Sequence, residues 1–63
     1  MAKVTREQFK RYVEVQSVGS YNMMGRNARD AAGLTREVHF EIIQNYDKFA
    51  SQWPDVIEEV LEG

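Results

Sequence analysis

One imidazole and no thiol make up the obvious nucleophile and base chemistry of this 63-residue chain. The imidazole, His39, sits within the set Val38, His39, Ile42, Ile43, Tyr46, Phe49 and Ala50, which falls on one face at helical spacing. A histidine so placed reads as a hydrogen-bonded core residue rather than a general base. A metal site would need a second ligand three or four residues on, and Ile42 and Ile43 occupy those positions. Glu58, Glu59 and Glu62 crowd carboxylates near the end of the chain. Paired acids act catalytically when burial or a neighbour shifts their pKa values, and a short acidic helix reads instead as a solvated face. Gly19, Gly25 and Gly33 are spaced as helix stops and make no phosphate-binding loop. The absence of cysteine excludes disulfides and thiolate-held zinc or iron–sulfur groups. These residues point to a protein without catalytic residues, cofactor or metal.

The elements that carry these residues are helical. Thr5 and Gln8 form a capping-box pattern, with Val4 and Phe9 spaced as a hydrophobic staple. Phe9, Tyr12, Val13 and Gln16 then follow on one stripe, and Glu7/Arg11 and Lys10/Glu14 are i,i+4 pairs on the outer side. Gly19 supplies the stop, so a helix is expected from about residue 6 to about residue 18. Asn22 is a candidate cap for a short second helix holding Met23, Met24, Ala28, Ala31 and Ala32, with Gly25 weakening its first turn. Gly33 closes that helix, and Thr35 opens a third, long one that runs to Ala50. Pro54 suits the first turn of a last helix, with Asp55 at its positive end and Val56, Ile57, Val60 and Leu61 docking it. The expected fold is all-α: three or four short helices in a compact mini-bundle, one domain over residues 1–63.

Apolar residues make up 43% of the chain but run only two or three at a time, too short to span a bilayer or to form a leader segment. A soluble, cytoplasmic domain is expected. A chain of this size buries only about 60% of its unfolded surface. Phe9, Tyr12, Tyr46, Phe49 and Trp53 must supply most of its core. Met23, Met24 and Phe40 either complete that core or remain outside it, where a homo-oligomer contact would cover them.

The net charge of −2 conceals an asymmetry. Residues 1–36 carry seven Lys/Arg against three Asp/Glu, a net of +4, and residues 37–63 carry one against seven, a net of −6. Either the halves fold against each other and cancel, or one charged end meets a macromolecule.

Ala28 to Ile43 reads as helix, a Gly33-Leu34-Thr35 turn, then helix, which resembles a helix-turn-helix. The small residue expected four positions before the turn glycine is Arg29 here, with Ala28 displaced by one. The second helix would offer Arg36, Glu37, Phe40, Glu41 and Gln44 to a DNA groove, while Arg26, Arg29 and Arg36 grip phosphates. The two carboxylates oppose binding that depends on neutralising phosphate charge. A plain packing corner has the same sequence pattern.

Gly19-Ser20-Tyr21-Asn22-Met23-Met24, Ala31-Ala32-Gly33-Leu34-Thr35 and Ile42-Ile43-Gln44-Asn45-Tyr46, with the opening Thr5-Arg6-Glu7-Gln8-Phe9, resemble a pattern in very short helical proteins of tailed-phage genomes. The resemblance covers residues 5 to about 50. It departs at Gly25 and Arg26, where an acidic or apolar residue is expected, and in the acidic tail. It implies a phage-encoded accessory protein that binds and modulates a host protein. Tyr21, Met23, Met24, Phe40 and Trp53 are the candidate contact residues. Asp55, Glu58, Glu59 and Glu62 are candidates for mimicking nucleic acid on the partner. The alternative is a small DNA-binding regulator, dimeric, using Arg26, Arg29, Arg36 and Gln44.

Overall fold

The computed structural model describes residues 3–62, which are helical with short connectors and contain no strand. The elements are α1 (Arg6–Val18), α2 (Arg26–Ala32), α3 (Arg36–Gln44), α4 (Tyr46–Gln52) and α5 (Pro54–Ile57), followed by a π-helical segment (Glu58–Glu62). Five α-helices stand where three or four were expected, and the difference lies at one residue. Asn45 breaks the expected long third helix with φ −122° and ψ 31°. Its side-chain amide donates to the Glu41 carbonyl at 3.3 Å and to Glu41 Oε2 at 2.7 Å. That side chain shares an acceptor with the backbone ladder, which bends the helix without ending its apolar face.

α1 begins as its sequence dictates. Gln8 N donates to Thr5 Oγ1 at 3.2 Å, and Thr5 N donates to Gln8 Oε1 at 2.9 Å, so the capping box is complete. Its buried stripe is Phe9, Tyr12 and Val13, and Val4 packs against the same core. Gly19 ends it in the left-handed region at φ 76°. α1 is the central element: α2, α3, α5 and the π-helical segment all pack on it.

The second helix is shorter than expected. Asn22 is a turn residue rather than its cap: Asn22 Oδ1 accepts from Met24 N at 3.1 Å, and Gly25 N donates to the Asn22 carbonyl at 2.8 Å. Met23 and Met24 therefore lie in a turn, and Gly25 is the N-cap rather than an interior residue. At the other end, Gly33 at φ 67° allows its N–H and that of Leu34 to close on the Asp30 and Arg29 carbonyls, each at 3.1 Å. Leu34 is buried at this corner, and Thr35 Oγ1 caps α3 by accepting from Val38 N at 3.2 Å.

Phe9, Val13, Ile42 and Val56 are the largest fully buried side chains. Phe9 is the hub of the aromatic core, with its ring 5.6 Å from Tyr46, 6.0 Å from Phe49 and 5.8 Å from Trp53. Trp53 stacks on Phe49 at 5.6 Å and 9°. Pro54 starts α5 where its missing N–H leaves no orphan donor. No helix among the described residues is long and apolar enough to cross a membrane.

The two charged halves fold against each other. Arg6 donates to Asp55 through Nε, at 3.0 Å, and through Nη2. Lys10 Nζ meets Glu59 Oε1 at 3.1 Å. Glu7 and Arg11 pair along α1 at 3.5 Å, as their spacing predicts, whereas Lys10 turns to Glu59 instead of Glu14. Arg6 holds the Asp55 carboxyl below its ordinary range, chiefly through the hydrogen bond. These side chains stay solvent-accessible, so the pairs orient the C-terminal segment on α1 more than they stabilise it.

Candidate functional site

The site is a groove of about 500 Å³ between the Met23–Met24 turn and the outer side of α3. The Asn22 turn projects Met24 outward, leaving it 78% exposed. Phe40 lies outside the apolar stripe of α3 and is 58% exposed. These two form the apolar walls with Ile43, and Arg36 and Glu37 from the first turn of α3 line the groove alongside them. Large apolar side chains exposed beside a concavity are the usual anchors of protein contacts.

His39 also lines the groove, and only 6% of it is exposed. Its ring is 5.8 Å from that of Tyr12. It is a core residue, as its sequence position suggests, but not a fully hydrogen-bonded one. The nearby Met23 backbone partly offsets the effect of that burial on the ring's pKa. Nε2, closed to solvent, finds no partner among the described residues. Burial holds its pKa below the ordinary 6.5, and the nearby charge of Arg29 acts in the same direction, so the imidazole is neutral near pH 7.

The groove brings together Met24, Phe40 and Arg36 from the residues singled out in the sequence. Tyr21 is 40% exposed and lines an adjoining recess with Asn22, Gly25 and Arg26. Met23 is half-buried against the core, and Trp53 is stacked within the aromatic cluster. Asp55 and Glu59 face Arg6 and Lys10, whereas Glu58 and Glu62 point to solvent. Arg26 and Arg29 both lie within ion-pair distance of Asp30, at 3.7 and 3.9 Å. Gln44 is exposed at the end of α3. Glu37, His39 and Ile43 were not anticipated as groove residues. For Glu37 and Ile43 the available signal was their spacing around Phe40, since positions three before and three after it share its side of a helix; His39, next to Phe40, carried no such signal.

Comparison of the chain with protein-family models, curated proteins and solved structures gave no match.

Proposed function

We propose that this protein is a non-enzymatic binding protein that holds a partner protein on the Met24–Phe40 groove. The observation that carries this reading is the exposure of Phe40 and Met24 on either side of a groove, in a chain whose Phe9, Tyr12, Tyr46, Phe49 and Trp53 pack inward. Val18, Tyr21 and Leu61 are exposed as well, and Met24 and Phe40 are the two that flank the groove, which makes them its contact residues. The resemblance to phage accessory proteins supports a host protein as the partner and modulation of it as the effect. The pairing of Asp55 and Glu59 with α1 argues against the acidic tail as the main contact.

The test is affinity capture from host lysate with wild type and Phe40→Asp in parallel, followed by titration of the purified partner. Phe40→Asp should weaken binding by about 30-fold or more, the scale of a hot-spot loss of ~2 kcal/mol, while leaving the helical circular dichroism unchanged. Equal binding by both proteins removes the groove from the contact. Light scattering on the same samples reports whether the partner is instead a second copy.

The second reading, a DNA-binding regulator, draws support from the exposed Arg36 and Gln44 on α3 beyond a corner held by buried Leu34. Against it, Arg26 and Arg29 lie beside Asp30, and Glu37 stands next to Arg36 on the same helix. A mobility shift that is lost in Arg36→Ala and weakens steeply with salt would favour it over the protein-binding reading.

A further inference from the structure

We propose that the Met23–Met24 turn is a hinged cover over His39, which lifts when the imidazole takes up a proton and carries Met24 away from Phe40. This goes beyond the reading of the groove as a contact surface and stands whether or not a partner uses it. The starting point is the surroundings of the ring. His39 is 6% exposed, and Nε2 is closed to solvent with no hydrogen-bond partner among the described residues. A charged imidazole carries a donor on each nitrogen. Once protonated, the ring would bury both a charge and an N–H with nothing to accept it, a costly state that contact with water relieves.

The groups that face the ring do not compensate that charge. They are the Tyr12 ring from α1, at 5.8 Å, and Arg29 from α2, whose cation opposes a second positive charge. Arg36 and Glu37 on its own helix line the same groove, and neither bonds to Nε2. Of the elements around the ring, the turn moves at least cost. Tyr12 is buried in the stripe of α1, and Arg29 belongs to α2, which packs on α1. The turn's hydrogen bonds close on themselves: Met24 N donates to Asn22 Oδ1 at 3.1 Å, and Gly25 N donates to the Asn22 carbonyl at 2.8 Å. It can swing as a unit without breaking either. Its ends are Gly19 and Gly25, the caps of α1 and α2, small residues suited to absorbing backbone rotation. Met23 anchors it on the core and is itself only half-buried.

The test is an NMR titration of the full chain, labelled in the backbone and in the methionine and valine methyl groups, followed downward from neutral pH. The His39 ring resonances report protonation, Met23 and Met24 report the turn, and the buried Val13 and Val56 report the core. The open-to-closed ratio of the turn should rise about tenfold for each pH unit below about 6.5, until most rings are protonated. The Met23 methyl and the Phe40 amide should follow the same curve as the ring, with the Val13 and Val56 methyls unmoved. In His39→Gln the turn should stay closed over the whole range.

A ring that titrates while Met23 stays in place overturns the proposal. So does a core that moves in step with the turn, which would make the transition global unfolding. A His39→Gln turn that shifts with pH as the wild type does overturns it too. If that variant fails to fold, the wild-type comparison of turn against core decides alone.

Discussion

The Tyr46 hydroxyl donates to Gln16 Oε1 at 3.0 Å, joining the start of α4 to the last turn of α1 across 30 positions of sequence. The same ring packs 5.6 Å from Phe9 and 6.0 Å from Tyr12, so one side chain supplies both apolar surface and a polar tie. Tyr46→Phe keeps the ring and removes the tie. It should cost about 1 kcal/mol, because both partners are only partly buried and Gln16 regains water. In a domain this small, that lowers Tm by about 4–8 °C. A double-mutant cycle with Gln16→Ala measures the coupling; additive effects would show the hydrogen bond contributes nothing.

Stability should fall as pH drops through the ordinary imidazole range near 6.5. The folded protein holds the His39 imidazole neutral, with its pKa below the ordinary 6.5, because burial and Arg29 both disfavour the charged ring. The unfolded chain takes up a proton near pH 6.5 that the folded chain refuses. Over that window the unfolded state binds more protons, so stability decreases as pH drops and levels off below the folded pKa. Asp55, whose pKa is lowered by Arg6, loses its contribution only at more acidic pH, as its carboxyl is protonated. Urea unfolding at several pH values, compared with His39→Gln, isolates the imidazole; parallel profiles for the two proteins would contradict this account.

Gly33→Ala should destabilise by about 1–2 kcal/mol through the backbone alone. The residue sits at φ +67°, and a Cβ placed there meets nothing closer than Arg11 Nη1 at 3.7 Å, an ordinary contact. With no clash to relieve, chirality decides the sign. D-Alanine introduced at this position by chemical synthesis should be neutral or stabilising, since it favours the same backbone region and narrows the unfolded ensemble. Thermal unfolding of the two synthetic proteins gives the comparison directly.

How much of this was readable from sequence follows from the range of the forces involved. α1 was legible end to end, because Thr5, Gln8 and Gly19 act within one turn of themselves. The aromatic core was legible as well, since Phe9, Tyr12, Tyr46 and Phe49 lie on apolar stripes of period 3.6. The bend at Asn45 was not, because the stripe Ile42, Ile43, Tyr46, Phe49 passes through it unbroken. Only the side-chain bonds to Glu41 reveal the bend. Lys10 had two acidic partners within reach, and its choice of Glu59 over Glu14 depends on where α1 meets the C-terminal segment.

The groove followed the same division. Phe40 stood outside the stripe, and its position left open whether it would meet another element or stay at the surface, where the structure places it. Its pairing with Met24 depended on a turn that the sequence presents as helix, so the concavity between them was hidden. His39 was correctly placed in the core. Whether each of its nitrogens found a partner was a matter of three-dimensional neighbours, and that is where the sequence reading and the structure part.

The clasp between Arg6 and Asp55 spans 49 positions, and α1 packs against α5 and the π-helical segment that follows it. During synthesis, Phe9 and Val13 emerge from the ribosome long before Val56 arrives to cover them. Until then the nascent segment has helices without a closed interior. Stalling translation upstream of Pro54 should therefore leave a protease-sensitive chain, even with most of the helical sequence already outside.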